Sequence, residues 1–453
     1  MRPARRGVAG PARSSAAAPA LAVAAATLSA GVAVLANERP LYLLALTGLC
    51  VFAFFPRLCR LVFLVTVAVG PVLNPPIVGL GAGRVYVVQA VLLCVFAGAL
   101  ALALRNGLLR KAALLLVLTV MLIAVETVGR ADAGIAWVYR PLQIFFVAFT
   151  VVSLFRSHGS RALALALAWG ATLGCTLASI HALVPAFDPF GVSRPDDIPF
   201  VSTIGSFARA TGAFTYPNNL GSYAAYAVLF GAAAWLFGRP AIPQRLAVAV
   251  MLSGGAALML AGSRAAGLGL VVGILHLTYK AAPGRRVILI AAEVVVGLLV
   301  VTLVLSSPTA REVSDQRITS ATGLSITSRI EDWRGALDDF RESPLIGTGA
   351  SESRTDNFWL LYLAQAGAAG VALLVLLACT TFRKDRGEPG QWAPELKAAL
   401  LLALCISGLL QDSLGQTLTT WFLGALIGLS MLSPEPPAPA GDDDEPALSR
   451  AGV

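Results

Sequence analysis

The chain is 453 residues long, 57% hydrophobic and only 13% charged, with a net charge of +9 and a mean hydropathy of +0.76. A soluble protein of this size carries about 25% charged residues, and here the deficit runs along the whole chain, which excludes a soluble globular protein. The positive balance would raise nucleic acid as a partner in a soluble chain; in this one, basic loops on the cytoplasmic side of a membrane account for it, and no nucleic-acid partner is expected.

Residues 1–19 form a basic N-terminus containing Arg2, Arg5, Arg6 and Arg13. Together with the apolar stretch that follows, they resemble a secretory signal. That stretch is long, however, and another succeeds it almost at once, so a retained first helix is expected. Apolar runs of membrane-spanning length follow near 20–36, 41–55, 61–78, 85–104, 112–128, 135–155, 162–184, 217–237, 246–262, 265–279, 287–305, 356–382, 398–413 and 416–432. The expected fold is all-α, a polytopic transmembrane helix bundle of about 12–14 spans.

The organisation follows from these runs. Transmembrane helices over 20–184 lead to an extracytoplasmic loop at 185–216. Central transmembrane helices over 217–305 lead to a large extracytoplasmic loop at 306–355, and C-terminal transmembrane helices occupy 356–432. The tail, 433–453, is rich in Pro and Ala, carries Asp442, Asp443 and Asp444, and reads as a disordered cytoplasmic segment.

Basic residues set the orientation. With the N-terminus inside, 21 of the 34 fall in cytoplasmic segments, against 5 in short outside segments (Arg39, Arg84, Arg130, Arg140 and Arg264). That contrast places both termini in the cytoplasm and makes this an inner-membrane protein. The two long outer loops carry Arg194, Arg209, Arg311, Arg317, Arg329, Arg334, Arg341 and Arg354, and no lysine. Within the second loop, Ser328 and Glu331 form a capping box, and Ile330, Trp333, Leu337 and Phe340 recur at helical spacing until Pro344 ends the run. An amphipathic helix on the outer membrane surface, or over the mouth of the bundle, is expected.

Six cysteines (Cys50, Cys59, Cys94, Cys175, Cys379 and Cys405) lie in or beside apolar runs, without a CxxC pair. They read as packing residues, so neither a disulfide framework nor a metal site is expected. The histidines are His158, His181 and His276. Only His181 is placed for outside chemistry, and a packed helix-end histidine describes it better. Among acidic residues inside apolar runs, Glu293 has no evident role.

The residues that can carry chemistry cluster towards the outside. A guanidinium binds phosphate oxygens through two parallel hydrogen bonds and stays charged at any relevant pH. Arg209 opens "RATGAFTYPNNLG", which also holds Asn218, and Arg264 sits in "AGSRAAGLGL" between apolar stretches. A cation so placed is costly and marks a pathway or a site, or else snorkels at a tight interhelical turn. Asp356 and Asn357 open "DNFWLLYLAQAGAAG". The carboxylate can act as a general base or cap the helix, and spacing alone favours the cap. Gly367 and Gly370 suit close approach by a neighbouring helix.

Taken in order, "RATGAFTYPNNLG", "GSRAAGLGL", "SRIEDWRGALDDFRESPLIGTG" and Asn357 with nine residues to Gly367 and then Gly370 resemble the O-antigen ligase and polymerase superfamily of bacterial envelope enzymes. The resemblance covers about residues 200–375. The ligase pattern is His-Asn, nine residues, Gly-x-x-Gly; here the spacing is kept and Asp356 stands at the histidine position. The resemblance implies metal-independent membrane glycosyl transfer on the outer face, without cofactor or nucleotide sugar. The donor would be a glycan on a polyprenyl pyrophosphate, and the acceptor a glycan or lipid at the membrane. Asp356 would be the base, and Arg209, Arg264, Arg329, Asn218 and Asn357 would bind substrate. The aspartate tilts the reading from ligase to polymerase.

Two other classes are considered. Glycosyltransferases that use polyprenyl-phosphate sugars resemble one another in an acidic pair on an early outer loop, where this chain has only Glu38 and Asp132, singly. A transporter or flippase of lipid-linked oligosaccharides would show two similar halves, and no internal repeat is evident.

Overall fold

The computed structural model describes residues 55–72, 76–80, 83–86, nine positions between 91 and 117, 136–156, 159–184, 187, 203–204, 207–214, 216–237, 242–284, 286–287, 329–348, 355, 357–381, 392–411 and 417–432. The expected span at 20–36, nearly all of those at 41–55, 112–128 and 287–305, Glu293 and the C-terminal tail lie outside the described residues.

Among the described residues the architecture is a helical bundle with two short hairpins. Helix α1 (Pro56–Val69) begins on proline, whose missing N–H is harmless in a first turn, and gives way at Gly70-Pro71. The segment that follows corrects the sequence expectation. Where one helix was to run to 78 and the next to begin at 85, β1 (Pro76–Leu80) and β2 (Gly83–Tyr86) form an antiparallel hairpin, with Leu80 opposite Gly83 and Val78 opposite Val85. Pro71, Pro75 and Pro76 remove helix donors, and β-branched Ile77, Val78 and Val85 favour strand; hydropathy alone does not separate the two.

The later elements follow the apolar runs closely. They are α2 (Ala136–Phe155), α3 (Ser160–Leu183), the small hairpin β3 (Thr203–Ile204) and β4 (Phe207–Ala208), α4 (Pro217–Phe237), α5 (Gln244–Ala261), α6 (Arg264–Lys280), α7 (Phe358–Thr381), α8 (Trp392–Gly408) and α9 (Thr417–Ser430). Among the described residues α3, α4, α5 and α7 are each long and apolar enough to cross a membrane, and the protein is a polytopic helical membrane protein.

Helix α4 is the axis of the bundle. It packs against α3, α5, α6, α8 and α9, and 89% of its apolar stretch is buried, as expected of a helix that is hydrophobic all round. Small residues let backbones approach elsewhere. A Cβ on Gly269 of α6 would lie 2.7 Å from the Ala403 carbonyl of α8, and one on Gly424 of α9 would lie 2.7 Å from the Ile144 carbonyl of α2. On the outward sides of α5 and α6, Leu252, Met259, Val271 and Leu275 are exposed, as suits lipid-facing positions. About three turns from Arg264, near the other end of α6, His276 Nε2 pairs with Glu395 Oε2 of α8 at 3.0 Å.

Candidate functional site

Alternation of the chain brings the first residues of α4, α6, α7 and α9 and the last residues of α5 and α8 to one end of the bundle, the end expected from the basic residues to face outside. Hydrogen bonds between these ends fix their relative positions. Thr419 of α9 donates to the Asn219 carbonyl of α4 at 3.1 Å, and the Trp359 indole of α7 donates to the Cys405 carbonyl of α8 at 3.2 Å.

Arg209 is half-buried against this end. Its Nε donates to the Ala261 carbonyl at 2.8 Å, and its terminal nitrogen donates to Asn218 Oδ1 at 3.0 Å. The guanidinium therefore ties the first turn of α4 to the last turn of α5, where unpaired carbonyls are expected. Two of the sequence candidates, Arg209 and Asn218, meet directly.

Three residues beyond Ala261 comes Arg264, the first residue of α6. Its side chain is exposed. Ser263 caps the helix, its Oγ accepting from the Ala266 amide at 3.4 Å. No acidic residue occupies the first turn of α6, so the arginine adds positive charge where the helix dipole is already positive. The same serine hydroxyl donates to Gln411 Oε1 at 2.8 Å, and Gln411 Nε2 donates to Ser222 Oγ of α4 at 2.7 Å. All three side chains are buried.

Helix α7 resolves the question of its cap. Asn357 Oδ1 accepts from the amides of Trp359, at 3.0 Å, and Leu360, at 3.1 Å, and Thr355 Oγ1 accepts from the Asn357 amide at 3.2 Å. The N-cap is Asn357, which corrects the expectation drawn from spacing that Asp356 would cap. Asp356 itself lies outside the described residues. The Asn357 carbonyl oxygen is thus committed to the helix start, and the residue is buried.

The helix then breaks at Gly367, which has φ 63° and ψ −169°. Close approach was expected there from a neighbouring helix; the segment that approaches is residues 344–348, which precede α7. The Ala368 and Ala369 amides donate to the Pro344 and Leu345 carbonyls, both at 2.9 Å, and the Thr348 amide donates to the Ala364 carbonyl at 2.9 Å. The strap 344–348 thus satisfies the backbone groups that the break leaves unpaired. Non-helical backbone is tolerated in a membrane bundle where protein supplies such partners.

Immediately before the strap, residues 329–342 form the helix expected from the apolar spacing. Ala336 is buried, whereas Ile330 and Leu337 are 41% and 37% exposed. The apolar stripe therefore looks partly outward, with the packed edge running through Ala336. Arg329 opens this helix and is half-buried. His181 is a packed helix-end residue, with Nδ1 2.6 Å from the Phe187 carbonyl.

The sequence candidates fall into two groups. Arg209, Asn218 and Arg264 surround the α5–α6 turn, while Arg329 and Asn357 stand on two helices joined by the strap at Gly367. Sequence reading missed Ser222, Ser263, Gln411 and Gly347. A serine before Arg264 is a helix-start signal that could have been used; nothing local marks Gln411 as its partner.

Comparison with known proteins places a family on this geometry. A family model described as O-Antigen ligase matches residues 246–375, the segment that holds Arg264, Arg329, Gly347, Asn357 and Gly367. No curated protein matches the chain. Residues 246–375 are therefore similar to the O-antigen ligase family, and the resemblance to the O-antigen ligase and polymerase superfamily carried by the motifs is borne out over that segment.

Proposed function

We propose that this protein transfers a glycan from a polyprenyl-pyrophosphate carrier to an acceptor hydroxyl at the outer face of the cytoplasmic membrane, and that it extends a polysaccharide as a polymerase. The family match supports the broader statement, glycosyl transfer of the O-antigen ligase kind in envelope polysaccharide synthesis by a membrane protein that acts on lipid-linked glycans. The aspartate at the histidine position of the ligase pattern favours the polymerase.

The observation that carries the reading is Arg264. An exposed guanidinium at a helix start without a first-turn acid is a place where an anion is bound well. In the proposed reaction the Asp356 carboxylate takes the acceptor proton, and the acceptor oxygen attacks the anomeric carbon. The bond from that carbon to the pyrophosphate oxygen breaks, and the released polyprenyl pyrophosphate gains negative charge. Arg264 and Arg329 meet that charge through paired N–H donors, and Arg209 adds fixed positive charge behind them. Asn218 and Asn357 orient the sugar. Nothing in this sequence of steps uses a metal or a cofactor.

Deletion of the protein tests the function. The expected result is shorter or absent envelope or exported polysaccharide with accumulation of the unextended lipid-linked glycan on the outer leaflet. Accumulation on the inner leaflet would instead assign the protein to transport across the membrane.

A further inference from the structure

The turn that presents Arg264 is held from both sides. On one side Arg209 binds the Ala261 carbonyl. On the other, Ser263 donates to Gln411, which in turn donates to Ser222. Gln411 lies 148 residues from Ser263 and 189 from Ser222 in sequence, just beyond the end of α8. It therefore ties together the start of α6, the central helix α4 and the α8–α9 connection.

Gln411, Ser263 and Ser222 are 3%, 5% and 1% exposed. A carboxamide sunk this deep in a membrane bundle is costly unless both its ends are satisfied. Here both are, and because each partner is a hydroxyl, either orientation of the amide would be satisfied. Packing alone does not call for a glutamine at this position, since leucine or methionine would fill similar space without a polar cost. Its distinguishing property is directional. Through one bond it fixes the hydroxyl that also caps α6, and the next residue in the chain is Arg264. There is little room for the turn to shift, as a Cβ on Gly221 would lie 2.5 Å from the Ser263 Cβ.

We propose that Gln411 is a positioning residue for pyrophosphate recognition, acting through Ser263 on the direction in which Arg264 projects. The inference rests on the reading of Arg264 as a pyrophosphate ligand. Misplacing a group that binds the leaving charge by about 1 Å costs roughly 10–100-fold in rate.

The test is a double-mutant cycle on purified protein in lipid, with polyprenyl pyrophosphate as the competitor and glycan transfer as the rate. Gln411→Met keeps the bulk and removes both hydrogen bonds. It is expected to lower transfer roughly 10–100-fold and to weaken inhibition by polyprenyl pyrophosphate, while leaving the KM for the acceptor unchanged. In an Arg264→Lys background the same change should cost no more than about twofold, because both substitutions remove one interaction. Ser222→Ala, which breaks only the remote link, carries the same test if Gln411→Met is not stably made. Full multiplicative loss in the Arg264→Lys background, or a loss confined to protein level and melting temperature, would make Gln411 a structural residue and overturn the proposal. Failure of polyprenyl pyrophosphate to inhibit the wild-type protein would instead overturn the functional reading on which it rests.

Discussion

Gly347 and Gly367 meet backbone to backbone, and the contact joins the 344–348 strap to the interior of a membrane helix. A Cβ on Gly367 would lie 2.5 Å from the Gly347 amide nitrogen, and one on Gly347 would fall onto the Gln365 carbonyl. Both residues have positive φ, 72° and 63°, a conformation that costs other residues roughly 1–2 kcal/mol even without a clash. The 329–342 helix and the first half of α7 are therefore two arms fixed at one point, the former opening with Arg329 and the latter with Asn357.

Gly347→Ala and Gly367→Ala should each destabilise the protein by more than about 2 kcal/mol and abolish transfer, since strain and overlap add. Melting in detergent and a transfer assay check this. Unchanged melting in both variants would show that the strap is not fixed at Gly367.

Two glycines in one motif should behave oppositely. Nothing lies within 4 Å of a Cβ placed on Gly267, whereas one on Gly269 meets the Ala403 carbonyl at 2.7 Å. Gly267→Ala should be neutral or stabilise α6 by about 0.5–1 kcal/mol. Gly269→Ala should push α6 from α8 and lower the melting temperature. Equal effects would contradict the close α6–α8 packing.

Asn357 and Asp356 should separate stability from chemistry. Asn357→Ala removes the cap and should cost about 1 kcal/mol, which Asn357→Asp should largely restore. Asp356→Asn should leave stability unchanged and lower the transfer rate roughly 10²–10⁴-fold. Melting curves and turnover, measured on the same preparations, decide. An active Asp356→Asn protein would leave the reaction to arginine electrostatics.

The arginines should differ by what they touch. Arg264→Lys keeps the charge but loses the planar fork; as an exposed residue it should lose most activity at normal protein level, and Arg329→Lys should also lose most activity. Arg209→Lys cannot reproduce the two bonds to Ala261 and Asn218, so its loss should include stability. Full activity in both Arg264→Lys and Arg329→Lys would make these arginines structural.

How much of this was legible beforehand depends on the kind of interaction. Hydropathy located the 217–237 helix to the residue, because α4 is apolar on every side. It did not separate strand from helix at Pro76–Tyr86, where β-branched residues score as apolar in either state. Sequence spacing marked Arg264 and Asn357 but misjudged which neighbour caps α7, a choice made by local backbone geometry. Gly367 looked like a packing glycine because its loop partner is 20 residues away with no periodicity to announce it. The Ser222–Gln411–Ser263 link is less visible still, being made only when three distant chain segments converge.

The central claim is transfer from a polyprenyl-pyrophosphate donor, and reconstitution tests it most directly. Purified protein in liposomes would be given a polyprenyl-pyrophosphate-linked glycan and an acceptor, with glycan length and free carrier both measured. The wild type should lengthen the acceptor and release one polyprenyl pyrophosphate for each bond formed, while Asp356→Asn and Arg264→Lys should do neither at a comparable rate. Movement of the intact donor between leaflets, without carrier release or longer glycan, would contradict glycosyl transfer and identify a lipid-linked oligosaccharide flippase.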